Sequence, residues 1–259
     1  MHGELTLSTA TLLGFLLTLA RVAGIFVFVP LPGLKAGFEM ARVVLSVTVT
    51  LALFPYWPHP TVTDPIGLLP IWMISEAALG IGIGLAVAFV MESFGVAAQV
   101  MGLQAGYAYA STIDPNTSAD SSVLVIFSQL AAGLIFFAVG LDREVLKIFA
   151  GSLISAPAGT FAVSKGAAER LLSAASVMFS TGVRLALPIV AVLMMIDVSL
   201  ALLGRINAQL QLLSVAFPIK MLVALTILGW TLLLWPAIMR NDLGVAMGAS
   251  NGLLWRGSR

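Results

Sequence analysis

The sequence predicts an all-α, polytopic helical membrane protein, and two observations carry this prediction. Of its 259 residues, 59% are hydrophobic and only 10% are charged. A soluble domain carries about 25% charged residues, so this chain has too little polar surface for a water-soluble body. Several apolar runs also approach or reach the roughly 20 residues that a helix needs to cross the hydrocarbon core.

Charges, prolines and glycines set the limits of six expected helical segments. The second segment is short, because the proline-rich run FPYWPHP at 54–60 cannot remain helical. The third is too long for one straight span, and its glycines at 80, 82, 84, 95, 102 and 106 favour bends or close helix contacts. The fourth is expected to break near Asp142. The expected ranges are 5–29, 41–55, 67–110, 121–156, 170–204 and 212–239.

Six charged residues lie inside the apolar runs, where a charge at the bilayer centre costs about 3 kcal/mol or more. Asp197 and Lys220 lie equally far from a turn expected near 208–209, so two antiparallel helices would place them at the same depth. We predict an ion pair between them that holds a C-terminal hairpin, although a proton relay stays open. Arg21 could be buried or extend to the interface, and the sequence assigns Glu76 no partner. The six are Arg21, Glu76, Glu92, Arg184, Asp197 and Lys220.

Motifs for catalysis and for cofactor binding are weak. GASNG at 248–252 matches G-x-S-x-G, but that motif needs a strand-to-helix turn with a histidine and an acid nearby. The chain has only His2 and His59, and it contains no H-E-x-x-H motif. It also has no cysteine, which excludes disulfides and thiol catalysis, and its net charge of +1 gives no case for nucleic-acid binding. We therefore expect no enzymatic activity, cofactor, metal or nucleic-acid partner.

The stretch GLQAGYAYASTIDPNTSADSSV at 102–123 is polar, unlike the apolar chain around it. Gly102 and Gly106 permit a bend, and the Asp114–Pro115 pair ends a helix. The residues that follow carry too little apolar surface to pack permanently. Irregular backbone at membrane depth is tolerated where it lines a cavity or is buried in protein. From the residues alone, an exposed loop and a yielding seal inside a channel fit equally well.

Five blocks occur in order between about residues 20 and 225. They are RVAGIFVFVPLPG, ARVVLSVTVTLALFP, SEAALGIGIGLAVAFV, AAQVMGLQAGYAYASTIDP and ALPIVAVLMMIDVSLALLGRINAQLQLLSVAFPIK. Together they resemble the FliR flagellar biosynthetic protein family, which includes the T component of virulence-type III secretion injectisomes. No single block is diagnostic, but their order and the similar total length make the resemblance specific.

The resemblance implies one integral membrane export-gate domain over 1–259, within a conical assembly. A FliP-like part at about 1–169 would be fused to a FliQ-like helical hairpin at about 170–239, followed by a C-terminal tail at 240–259. The implied partners are FliP-type, FliQ-type and FlhB-type subunits, unfolded exported proteins in transit, and membrane lipid. The implied location is the bacterial inner membrane at the flagellar basal body. Arginines in the tail favour a cytoplasmic C-terminus.

The resemblance also implies a function, namely a structural, pore-forming subunit of the type III protein export gate in flagellar biosynthesis. The loop at 106–122 would be a plug in the channel. The alternatives are the equivalent subunit of a virulence injectisome and an ion-coupled secondary transporter. The implied pore or plug residues are Gly102, Gly106, Tyr107, Ser111, Thr112, Ile113, Asp114, Pro115 and Asn116. The charges expected to pack helices together are Arg21, Glu76, Asp197 and Lys220.

Overall fold

The computed structural model describes residues 9–29, 39–58, 66–107, 123–156, 159, 165–206 and 212–254, and the regular structure in these ranges is helical. Two short 3-10 helices, Phe54–Tyr56 and Ile66–Leu68, lie between the second and third α-helices. The all-α prediction is therefore confirmed. The α-helices are α1 (Thr9–Phe28), α2 (Glu39–Ala52), α3 (Leu69–Ala105), α4 (Val123–Ala138), α5 (Leu141–Ser155), α6 (Lys165–Ile206), α7 (Leu212–Thr231) and α8 (Trp235–Leu254).

Within the described ranges, three α-helices are long and apolar enough to cross a membrane: Thr9–Phe28, Leu69–Ala105 and Lys165–Arg205. Two bent pairs, α4 with α5 and α7 with α8, raise the number to five if each pair counts as one span. The described ranges therefore have the length and composition of a polytopic membrane protein. The break between α4 and α5 comes at Gly140, close to the predicted position near Asp142. Gly140 has a φ of 76°, a left-handed value that favours glycine.

The C-terminal region differs from the expectation. Instead of one helix to residue 239, the chain forms α7 and then α8, bent by 63°. Residues 240–254, within the expected tail, are helical, and the assignment of 240–259 as a tail stays a prediction. Pro236 explains the restart, because the first turn of a helix does not need the N–H group that proline lacks. The GASNG motif at 248–252 thus lies within α8 rather than on a strand-to-helix turn.

The chain divides into two compact units, each assembled from separate segments. The first comprises Met1–Phe89, Gly140–Ala175 and Leu243–Arg259, and the second comprises Val90–Val139 and Ser176–Asp242. The boundary near residue 169 that the resemblance implies separates family-like parts of the chain and stays a prediction. With 37 and 42 residues, α3 and α6 are about 55 and 63 Å long, and each contributes residues to both units.

Glycines bring α1 and α3 into close contact within the first unit. A Cβ atom on Gly80 would overlap the carbonyl oxygen of Arg21, and one on Gly84 would overlap that of Ile25. The two contacts are four residues apart on both helices, so the helices run in the same direction here. Small residues at such contacts let the two backbones approach closely. Gly80 and Gly84 therefore serve packing, while the helix itself continues to Ala105.

We expect Gly80→Ala to destabilise the protein by about 1–3 kcal/mol, because the added methyl group meets backbone that cannot move aside. Gly151→Ala in α5 is the matched control, since a Cβ there meets nothing within 4 Å. Alanine favours a helix interior over glycine by about 0.5–1 kcal/mol, so the control should be neutral or stabilising. Thermal unfolding of the two variants in detergent measures the difference, and equal melting temperatures would contradict the close contact.

Candidate functional site at the start of the polar stretch

Of the nine residues that the resemblance assigns to the pore or plug, three lie within the described ranges. Gly102 and its neighbours form the last turn of α3, and Gly106 and Tyr107 follow directly after it. The other six, Ser111, Thr112, Ile113, Asp114, Pro115 and Asn116, lie outside the described residues. Their place in a channel stays a prediction, but the point from which the polar stretch departs is defined.

Two backbone hydrogen bonds and a left-handed glycine end α3. The N–H of Tyr107 donates to the carbonyl oxygen of Gly102 at 3.0 Å, and that of Gly106 donates to Leu103 at 3.2 Å. This pair of bonds is the Schellman motif, which normally places a glycine in the left-handed region. Gly106 has a φ of 89°. A Cβ on Gly106 would also lie only 2.7 Å from the ring of Phe217 in α7, so a larger residue there would strain the backbone and displace this ring.

Side chains fix the end of α3 to the helices of the expected hairpin. The hydroxyl of Tyr107 donates to the carbonyl oxygen of Met221 in α7 at 3.2 Å. The amide nitrogen of Gln104 donates to Oδ2 of Asp197 in α6 at 3.2 Å. Desolvation by burial raises the pKa of Tyr107, so the phenol keeps its proton at neutral pH and continues to donate. Sequence analysis missed Gln104, whose only signal was an amide side chain in the last turn of an apolar helix.

The ion pair predicted between Asp197 and Lys220 is present. Nζ of Lys220 lies 2.9 Å from Oδ1 of Asp197 and 3.0 Å from Oδ2. The two side chains differ in exposure, at 12% for Lys220 and 43% for Asp197. Asp197 therefore accepts hydrogen bonds from both Lys220 and Gln104. We call Gln104, Tyr107, Asp197 and Lys220 the polar joint. It brings together the start of the plug candidate and the hairpin pair, which the sequence treated as separate features.

A second polar centre lies in the first unit around Arg21 and Glu76, whose side chains are each 1% exposed. Nε of Arg21 lies 2.5 Å from Oε2 of Glu76. The remaining guanidinium nitrogens donate to the carbonyl oxygens of Ser152 at 2.7 Å and Ala156 at 3.0 Å. Oε1 of Glu76 accepts the N–H of Gly159 at 2.9 Å. Arg21 thus donates to two carbonyls at the C-terminal end of α5, and that of Ser152 also accepts the N–H of Ala156 at 3.0 Å.

Sequence reasoning did not find this second pair, because 55 residues separate its members and no single turn relates them. Arg21 is fully buried instead of extending to an interface, and Glu76 is its partner. The sequence did contain a pattern that relates the two charges, because each lies about one helical turn before a glycine, and both glycines lie at close contacts between helices. Gly24 follows Arg21, and Gly80 follows Glu76. The glycines locate the contact between α1 and α3 at which the two charges meet.

The other two charges of the apolar runs are exposed. Neither Glu92 in α3 nor Arg184 in α6 forms an ion pair with any residue that the structure describes. Within the same ranges, no three histidine, aspartate or glutamate side chains converge as metal ligands would. The polar contacts described at the two centres are hydrogen bonds and ion pairs between helices.

Comparison of the sequence with models of known protein families identifies the family. The family model described as bacterial export proteins, family 1, matches residues 12–245. The chain belongs to this family. Both polar centres of the export protein fall within the matched residues. The resemblance read from the five sequence blocks is confirmed.

Individual relatives cover most of this export protein. It is 28% identical over 217 residues to the flagellar biosynthetic protein FliR of Pectobacterium carotovorum subsp. carotovorum, covering 83% of each chain. It is 23% identical over 244 residues to FliR of Bacillus subtilis (strain 168), covering 93% of this chain and 94% of the relative. It is also 25% identical over 246 residues to the surface presentation of antigens protein SpaR of Salmonella typhimurium, covering 91% and 88%. Family and apolar helices together fit an inner-membrane location.

We expect the polar joint of the export protein to respond unequally to loss of its two charges. Asp197→Asn removes the anion and leaves a mostly buried ammonium group without it, whereas Lys220→Met leaves a carboxylate that is half exposed and still bonded to Gln104. The first change should therefore cost more stability, by about 1 kcal/mol. Exchanging the two charges should restore part of the loss. Melting temperatures in detergent test this order, and two silent single changes would show that the pair contributes nothing.

We expect Glu76→Gln to cost the export protein about 3–5 kcal/mol, because it leaves the buried guanidinium of Arg21 without a counter-charge. Glu144→Gln provides the control, since Glu144 pairs with Lys147 at 2.8 Å but both side chains are more than half exposed. Exposed pairs contribute about 1 kcal/mol at most. Limited proteolysis and thermal unfolding should separate the two variants clearly. Comparable losses would mean that the buried pair is no stronger than an exposed one.

Proposed function

We propose that this export protein is a non-enzymatic, pore-forming subunit of the type III protein export gate that builds the bacterial flagellum. The observation that carries the proposal is the family match over residues 12–245. The names of the relatives support it, because proteins called flagellar biosynthetic protein FliR match it from Pectobacterium to Bacillus. The polar centres are compatible with a structural role, since their described bonds hold helices together.

The second candidate is the equivalent subunit of a virulence injectisome. The match to SpaR favours it, because that match extends over 91% of this chain at 25% identity. The highest identity to a FliR relative given above is 28% over 83% of the chain, so identity alone separates the two systems weakly. Restoration of swimming in a strain that lacks its own FliR would support the flagellar assignment. Restoration of injectisome secretion alone would favour the second candidate.

The partners in this proposal are other gate subunits of the FliP, FliQ and FlhB types. Unfolded exported proteins would pass through the channel that they enclose together. The assembly would lie at the inner membrane at the flagellar basal body, with the C-terminus of this chain in the cytoplasm. Co-purification of the full chain with FliP-type and FliQ-type subunits in a fixed ratio tests the assembly. A chain that remains alone and binds a solute would instead favour a transporter.

We further propose that the loop at 106–122 is a plug in the channel. Support comes from its anchored base, because the Schellman motif fixes the direction in which the chain leaves α3. Tyr107 and Gln104 then hold this end against α6 and α7. A seal that yields to passing protein belongs to the weakly stabilised part of a structure, whereas its attachment must be firm. A polar loop on a firm base meets both requirements.

Deleting residues 110–120 should increase leakage of ions and small solutes through the assembled gate. The deletion retains Gly106, Tyr107 and the rest of the polar joint, so assembly should remain intact. A control variant replaces the same residues with a glycine-serine segment of equal length, which should seal partly because flexible polar chain still fills the channel. Ion flux into vesicles containing the gate measures the effect. Unchanged flux through a correctly assembled deletion variant would refute the plug.

A further inference from the structure

Helix α6 presents a long apolar face with no cover within the described residues. Fewer than a quarter of the residues in its most apolar stretch are buried, compared with more than half in α3. Large exposed side chains recur along one side of the helix at intervals of three, four or seven residues for most of its length. They include Leu172, Phe179, Val183, Leu187, Val198 and Leu202.

Lipid cannot cover the whole of this face. The distance along the helix from Leu172 to Leu203 is about 46 Å at 1.5 Å per residue. The hydrocarbon core is about 30 Å thick, and even a steep tilt of 40° would cover only about 39 Å of helix. Exposed apolar surface of this extent is not left in water. Part of the face must therefore be covered by protein.

The position of Arg184 indicates which part of the α6 face is covered by protein. It is exposed on the same face, directly after Val183, and no described carboxylate bonds to it. Residues 185–203 contain one charge, Asp197, which is already paired with Lys220, and their number is close to the roughly 20 needed for a span. This segment suits lipid. The segment before it, from Leu172 to Arg184, is then the part that needs protein.

We propose that the face formed by Phe179, Ser180, Val183 and Arg184, here the Arg184 face, docks an apolar helix from another subunit of the export gate. This helix carries an aspartate or glutamate that pairs with Arg184. The inference rests on the proposed function, because it requires a gate assembly, and it assigns the residues and the charge through which one partner binds. An unpaired cation on an apolar surface selects a carboxylate, since no apolar group replaces the water that the guanidinium loses on docking.

The absence of cysteine from the chain allows a direct test with single spin labels. Val183→Cys places a label on the Arg184 face, and Val198→Cys is the matched control on the segment assigned to lipid. Both valines are exposed on α6. In the gate assembled with co-expressed subunits, collisions with oxygen should be several-fold fewer at 183 than at 198. Collisions with a water-soluble nickel chelate should be rare at both. In the chain purified alone, position 183 should become accessible.

The charge is tested separately by Arg184→Ala, with Arg205→Ala in the last turn of α6 as its control. We expect Arg184→Ala to reduce the recovery of co-purified gate subunits at least tenfold at an unchanged melting temperature. Arg205→Ala should have little effect, and Arg184→Lys should retain much of the binding, because it keeps the positive charge. Equal recovery with Arg184→Ala and Arg205→Ala would overturn the pairing.

The labels also identify the alternative occupants. Oxygen access at 183 equal to that at 198 in the assembled gate would show that lipid covers the Arg184 face. High nickel access there would show a water-lined wall. Either result overturns this inference while co-purification of the subunits leaves the proposed function intact. If the parent chain recovers no gate subunits at all, the proposed function fails, and the docking inference fails with it.

Discussion

A charged or polar side chain within an apolar helix needs a partner from the protein, because lipid tails and apolar neighbours offer none. Arg21 and Glu76 meet this constraint in the first unit, where they join three helices through side-chain and backbone bonds. Asp197 and Lys220 meet it in the second, where α6 and α7 are joined. Each centre also secures irregular chain, Gly159 in the first unit and the end of α3 in the second. The same polar groups thus hold helices together and fix where loops begin.

The two polar centres differ in how far their side chains are exposed. Asp197 is nearly half exposed, and its bonds to Gln104 and Lys220 can exchange with water. The Arg21 centre, in contrast, is fully buried, and loss of either charge leaves the other without compensation. The fully buried pair belongs to the first unit, and the more exposed pair belongs to the second.

The exposed face of α6 extends the same reasoning beyond the single chain. Lys220 takes its anion from within the chain, whereas Arg184 finds none among the described residues. Large apolar side chains on the same helix remain uncovered over a length greater than the hydrocarbon core. A subunit that is complete only in an assembly would show this combination. The unsatisfied charge then specifies the partner, and the apolar surface supplies the area of contact.

The sequence by itself determined the helical membrane class, most helix limits, the family, and the pairing of Asp197 with Lys220. These follow from composition, from helix-breaking residues, and from equal spacing about one expected turn. Only the tertiary structure decided that Arg21 meets Glu76, that Gln104 and Tyr107 join the hairpin pair, and that residues 240–254 are helical. The reason is that contacts between helices far apart in sequence depend on which faces pack together. Local spacing carries no information about that choice until the close contacts at glycine are known.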